Sequence, residues 1–258
     1  MDLDPELAAL RPLGGFFDLR TAPDADPARL PTLAMAYAQT SPEDPESPDD
    51  PLASRVRTVA HRLRTTEPRV AASLAHQGLA ARLWSAALGC AVLYGRLPGL
   101  DPGLLRWDTH ASAPDDLWLT EVRPGPGDAA ALADAVLHGH LEPLGETLRA
   151  RYGVASGLLW GNAGSALAGT ARELERWARA QGRTDVAART RALTGELLDH
   201  SLLRATGTRT GPAFRRRSCC LYYRVPGGGV CGDCCFRRPP ATPRSPTAVG
   251  GKGVDSPG

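Results

Sequence analysis

The chain has 258 residues, 42% of them hydrophobic and 22% charged, which suits a globular protein with one sizeable core and room for a small appendage. A net charge of +2 excludes a strong field over the whole molecule, but the charge is unevenly placed. Residues 215–238 carry Arg215, Arg216, Arg217, Arg224, Arg237 and Arg238 against Asp233, a net +5, while residues 1–214 net −4.

The opening "MDLDPELAAL" is acidic and lacks the basic and apolar regions of a signal peptide. A short strand is expected around "GGFFDLR" (residues 14–20), followed by a Pro-punctuated helix. "SPEDPESPDDP" (Ser41–Pro51) is an acidic, Pro-rich run that reads as a solvated loop. Leu52, Val56, Val59 and Leu63 then recur at helical spacing, with Asp50 as cap and Pro51 at the first helical position. A second helix, rich in Ala and Leu, is expected from Pro68 to Tyr94. Its nearly uncharged stretch Leu83–Gly95 is too short to span a bilayer, so no transmembrane segment is expected.

"LLRWDTHASAPDDLWLTEV" (Leu104–Val122) breaks the helical period around a polar turn and reads as a small β-hairpin. Asp128 caps the next helix, whose apolar positions are 132, 136, 137 and 141; Pro143 is expected to end or kink it before a further segment to Tyr152. Two longer helices follow, Ser156–Gly182 with a stripe of small residues and Thr184–Ala205 with Thr184 or Asp185 at its start. No repeat is visible. The expected fold is mainly α, an α+β chain with a small β-hairpin. Residues 1–205 read as the helical body, 206–238 as a cysteine module too small to fold around an apolar core of its own, and 239–258 as a disordered tail.

Five of the six cysteines fall within "RSCCLYYRVPGGGVCGDCCF" (residues 217–236). Cys219 and Cys220, then Cys231 and Cys234, form the pattern Cys-Cys-x10-Cys-x2-Cys, with Cys235 following at once. A Cys-x2-Cys turn aims two sulfurs at one centre, and Gly227, Gly228 and Gly229 let the loop fold back to the first pair. Four thiolates so gathered suit tetrahedral zinc or an iron–sulfur cluster, and the spacing alone leaves both open. A disulfide between adjacent cysteines is strained, and the cytosol disfavours it.

"RRRSCCLYYR" followed by "CGDC" resembles the C-terminal [2Fe–2S] segment of the FhuF-like ferric-siderophore reductase family. "LLWGNAGSAL" (Leu158–Leu167) and, more loosely, the stretch from "HQGLAARLW" to "LPGLD" resemble the helical body of actinobacterial members, so the likeness covers about residues 55–236. The resemblance implies a [2Fe–2S] cluster held by Cys219, Cys220, Cys231 and Cys234, with Cys235 a thiol the pattern does not require. It also implies a cytoplasmic reductase, peripheral to the inner membrane face if membrane-associated, that passes one electron to a ferric siderophore. No nucleotide or flavin fingerprint is present, so electrons must come from an external donor: a reductase, a ferredoxin or a diffusible reductant. The alternative is a non-enzymatic metal-binding module, zinc-stabilised or an Fe–S sensor.

The arginines suit an anionic cluster, whose reduced form they would stabilise; a single compact basic segment with two tyrosines does not suggest nucleic-acid binding. Tyr222 and Tyr223 are expected to shield the cluster from water. The six histidines (His61, His76, His110, His138, His140, His200) show no metal spacing and read as structural or exposed. Gly161, Gly164 and Gly169 read as close-packing positions, Asn162 and Ser165 as candidates for polar ligand contacts, and Cys90 as a core residue.

Overall fold

The computed structural model describes residues 7, 9–21, 29–38, 50–211, 213–238 and 240; most of the acidic loop and nearly all of the tail lie outside these. The chain is mainly α. Its axis is a 27-residue helix, α3 (Pro68–Tyr94), apolar all round and buried for most of its length. Around it pack α2 (Pro51–Leu63), α5 (Glu142–Tyr152), α6 (Ser156–Ala180) and α7 (Thr184–Asp199), with α6 making the largest interface. A short α1 (Leu33–Tyr37) sits against α2 and α5.

The start of α2 is as the sequence expects: the Asp50 carboxylate accepts from Ala53 N–H at 2.7 Å, and Pro51 occupies the first turn. The expected hairpin also forms. Strands β3 (Leu105–Trp107) and β4 (Leu117–Leu119) pair antiparallel, and β1 (Arg20–Thr21) adds parallel to β4. Only the end of the stretch expected as the first strand is extended; residues 15–17 form a turn instead. Strands β2 (Arg96–Leu97) and β5 (Gly125–Pro126) make a second small pair.

Buried Arg82 organises the seam between α3 and the N-terminal segment. Its guanidinium pairs with Asp116 at 2.9 Å and donates to the carbonyls of Gly15, Phe16 and Asp18. A buried charge is tolerable here because it is paired with a carboxylate and each guanidinium nitrogen finds an acceptor.

Two helical expectations are corrected. Asp128 caps α4 (Ala129–Leu132) as expected, accepting from Ala131 N–H, but the helix then widens into a π-helix (Ala133–Leu141) and runs on into α5. Pro143 has no N–H to offer the preceding turn, and the chain takes a wide turn there rather than stopping. The last long helix ends at Asp199, not at Ala205: His200 turns extended and buried Leu203 tucks the chain back under the body. The helix starts at Thr184 as expected, with Arg183 before it in the cap position making no side-chain cap bond.

No strand is expected after residue 205, yet β6 (Gly207–Thr210) and β7 (Ala213–Arg216) form an antiparallel hairpin. Phe214 of β7 is buried in the same core as the helices, which fastens this segment to the body.

Candidate metal centre

The cysteine segment lies across α6 because α6 is cut away beneath it. A Cβ at Gly161 would overlap Ser218 Oγ, and one at Gly164 would stand 2.5 Å from Thr206 Oγ1 and 3.3 Å from the Phe214 ring. These two glycines are close-packing positions, but what approaches is the cysteine segment rather than another helix. Gly169 differs: a Cβ there would meet nothing nearer than 3.8 Å, so close packing does not explain it.

A buried polar seam then fixes the segment. Asn162, fully buried, donates to the Ser73 carbonyl at 2.8 Å and accepts from Arg216; Ser73 Oγ–H in turn donates to the Cys220 carbonyl at 2.9 Å. Ser165 Oγ–H donates to Asp233 Oδ2 at 2.8 Å, Arg172 pairs with Asp233 at 3.1 Å, and the Asp233 carbonyl accepts from Arg216 N–H at 2.9 Å. Asn162 and Ser165 therefore spend their polar groups on anchoring the segment. Asp233, inside the last Cys-x2-Cys turn, is the anchor of that turn.

Local backbone geometry aims amides at sulfur. Leu221 adopts the left-handed region (φ 69), which a non-glycine residue enters only where something holds it, and its N–H donates to Cys219 Sγ at 3.2 Å. Phe236 N–H lies 3.4 Å from Cys234 Sγ. The Cys231–Cys234 turn closes with Cys234 N–H on the Cys231 carbonyl at 3.0 Å. At Gly228 a Cβ would run into the Tyr222 and Val225 carbonyls, so the loop between the two cysteine pairs requires glycine there.

Cys220 and Cys231 stand closest, Sγ to Sγ 3.7 Å. Two thiolates on one tetrahedral metal at about 2.3 Å stand roughly 3.8 Å apart, so this pair has the separation of two ligands on one ion. The Cys220 thiol is pulled down to about 6, first by the adjoining Cys231 thiol, with the Tyr222 amide and Arg216 assisting; the same contact pushes Cys231 up. Burial pushes Cys219 up to about 11. Cys234 and Cys235 both sit close enough to Cys219 to act on its charge, so all five thiols share one neighbourhood. Among the described residues no three His, Cys, Asp or Glu side chains are arranged around a single ion.

Arg216 stands apart from the other arginines. It is 2% exposed, and its guanidinium donates to neutral acceptors only, Gln77 Oε1, the Leu158 carbonyl and Asn162 Oδ1. Its Nε and the neighbouring Ser218 Oγ are buried and unpartnered. A buried cation and two idle donors beside four thiols fit an anionic centre with acceptor sulfurs. Arg215, Arg217, Arg237 and Arg238 are exposed, and Arg224 pairs with Glu67.

Tyr222 is exposed rather than a shield, while Tyr223 packs edge-on against Phe236. Cys90 is buried in the core. His140 accepts from the Tyr37 hydroxyl (2.7 Å) through Nδ1 and donates through Nε2 to the Leu100 carbonyl (2.6 Å), a neutral structural imidazole pushed down by burial to about 4. His138 is exposed and bonds Glu142.

The helical body, residues 71–210, matches the family described as ferric iron reductase FhuF-like transporter, and residues 216–236 match the FhuF 2Fe-2S C-terminal domain. No curated protein matches the chain. The cysteine segment is therefore that of a [2Fe–2S] domain, and the zinc alternative falls away. No helix of the described residues is long and apolar enough to cross a membrane.

Proposed function

The chain belongs to the FhuF-like ferric iron reductase family, and we propose that it is a cytoplasmic one-electron reductase of ferric siderophores. Residues 1–205 act as the body that receives the chelate, 206–238 as the cluster module and 239–258 as a tail without a part in the chemistry. Cys219, Cys220, Cys231 and Cys234 hold the cluster. The 3.7 Å sulfur separation supports Cys220 and Cys231 sharing one iron, which leaves Cys219 and Cys234 for the other.

When bound, the cluster supplies the one electron that turns Fe(III) into Fe(II) and takes a replacement from an external donor. Oxygen-rich siderophores grip Fe(III) far better than Fe(II), so the added electron loosens the chelate. The protein's own residues set the conditions. Arg216 offsets the negative charge that reduction adds, the amides of Leu221 and Phe236 donate to sulfur, the idle Ser218 hydroxyl is a further donor for the bound cluster, and Asp233 fixes the turn between Cys231 and Cys234. The exposed Tyr222, Val230 and Phe236, set among exposed arginines, suit an acidic electron donor; that donor is a reductase, a ferredoxin or a diffusible reductant.

The observation that carries this reading is the buried Arg216, bonded only to neutral groups beside the Cys220–Cys231 pair. Single cysteine substitutions test the ligand set. Cys231→Ser should lose the visible absorption and iron of the cluster, and Cys235→Ser should keep both. Equal loss in the two variants would refute the assignment. A cluster that loads normally yet reduces no ferric chelate would leave a non-enzymatic sensor as the better account.

A further inference from the structure

We propose that the ferric chelate docks in an open cavity of about 500 Å³ lined by Leu13–Phe17, α3, α6 and the turn Cys231–Asp233. This rests on the reductase reading and gives it a place. Cys231 and Gly232 form part of the wall, so a molecule seated in the cavity lies directly against the cysteine turn. A volume of a few hundred Å³ is that of a small-molecule site, enough for the iron-bearing head of a chelate with its arms reaching solvent.

At Gly169 and Gly232 an added Cβ would meet nothing closer than 3.8 Å, so both positions border open space on the lining and a larger side chain there would enter it. This accounts for Gly169, which close packing does not. The charges on the lining are already paired, Arg172 with Asp233 and Glu173 with Arg176, and Ser85 bonds Thr170. What remains to meet a ligand is mostly small and apolar, with Phe16, 47% exposed, on the wall and the Gln77 amide as a polar contact. The Phe16 wall is held firmly, since Arg82 bonds the carbonyls of Gly15, Phe16 and Asp18. No covalent bond forms or breaks in this seat. One electron passes to Fe(III), giving Fe(II), the cluster is oxidised by one electron, and the external donor restores it.

The test fills the cavity without touching a cysteine. Gly169→Trp is made in the cluster-loaded protein, with Ala81→Leu as a second filling variant on the α3 wall. Binding of redox-inert gallium hydroxamate and gallium catecholate chelates is measured by equilibrium dialysis. Re-oxidation of the reduced cluster by the corresponding iron chelates, and by ferricyanide, is followed in the visible. The expected result is affinity at least about tenfold weaker and a matching fall in the chelate rate for either variant that loads its cluster, with the ferricyanide rate and the cluster spectrum unchanged. Chelate affinity and rate within about twofold of wild type in such variants would overturn the cavity while leaving the reductase reading intact. A loaded wild-type protein that reduces neither iron chelate would overturn both.

Discussion

Asp233 accepts a hydrogen bond from Ser165 at 2.8 Å, and through that contact the turn between Cys231 and Cys234 is fastened to the middle of α6. Arg172 completes the anchor from two helical turns further along. The placement of two thiols thus depends on a carboxylate that is not itself a ligand. Asp233→Ala should leave Ser165 and Arg172 without their partner, costing about 2 kcal/mol given that Arg172 is partly solvated. Iron content per chain and thermal unfolding of the loaded protein measure this. Wild-type iron retention and stability would show that the turn stands without its anchor.

Arg216 should raise the reduction potential, because the reduced cluster carries one more negative charge beside a buried cation. Arg216→Gln is expected to lower the midpoint by about 60 mV or more, the one-electron equivalent of about 1.4 kcal/mol. Arg216→Lys should recover part of the loss, though not the forked hydrogen bonds to Gln77 and Asn162. A potentiometric titration monitored by EPR decides the matter, and an unmoved midpoint in Arg216→Gln would make the residue purely structural.

Gly161 offers a test that separates the body from the cysteine segment. Alanine in a helix interior is favoured over glycine by about 1 kcal/mol, so Gly161→Ala should leave α6 helical. The new methyl would overlap Ser218 Oγ and push away the residues leading into Cys219 and Cys220. The expected outcome is unchanged far-UV circular dichroism with markedly reduced cluster occupancy. Full occupancy would mean that Ser218 can move aside without disturbing the cysteines.

Burial of His140 predicts an acid-side loss of stability. Its folded-state value is pushed down to about 4 by burial, against an ordinary value near 6.5, with the Leu100 carbonyl and Asp101 opposing. The unfolded chain therefore binds a proton that the folded chain refuses. The His140 contribution is complete above about pH 6.5 and is lost as pH falls towards 4, up to roughly 3 kcal/mol. Denaturant unfolding of wild type and His140→Gln across that window should show the variant changing less steeply. Parallel curves would remove His140 as the cause.

Much of the fold was legible because local chemistry and tertiary need agree. Asp50 and Pro51, Asp128, and the long apolar run of α3 each declare a helix by rules that packing does not override. The hairpin β6–β7 was legible in principle, since Thr and Arg alternate in "GTRT" ahead of "GPAFRR", but the arginines drew attention as charge rather than as pleat. The cysteine pattern carried a metal centre, and the family resemblance of its flanking residues singled out the cluster. It did not carry the supports, because nothing in a row of arginines tells that Arg216 is buried while Arg215 and Arg217 are exposed. That distinction comes from strand alternation against α6. Asn162 and Ser165 read as ligand contacts for the same reason: their partners Ser73, Arg216 and Asp233 lie far away in sequence.

Whether this chain hands an electron to chelated iron is tested most directly by a single turnover. Anaerobically reduced, cluster-loaded protein is mixed with one equivalent of a ferric siderophore in the presence of a ferrous-iron trap. The expected result is re-oxidation of the cluster absorption together with one trapped Fe(II) per cluster. A cluster that stays reduced, or re-oxidises without releasing Fe(II), would contradict the account.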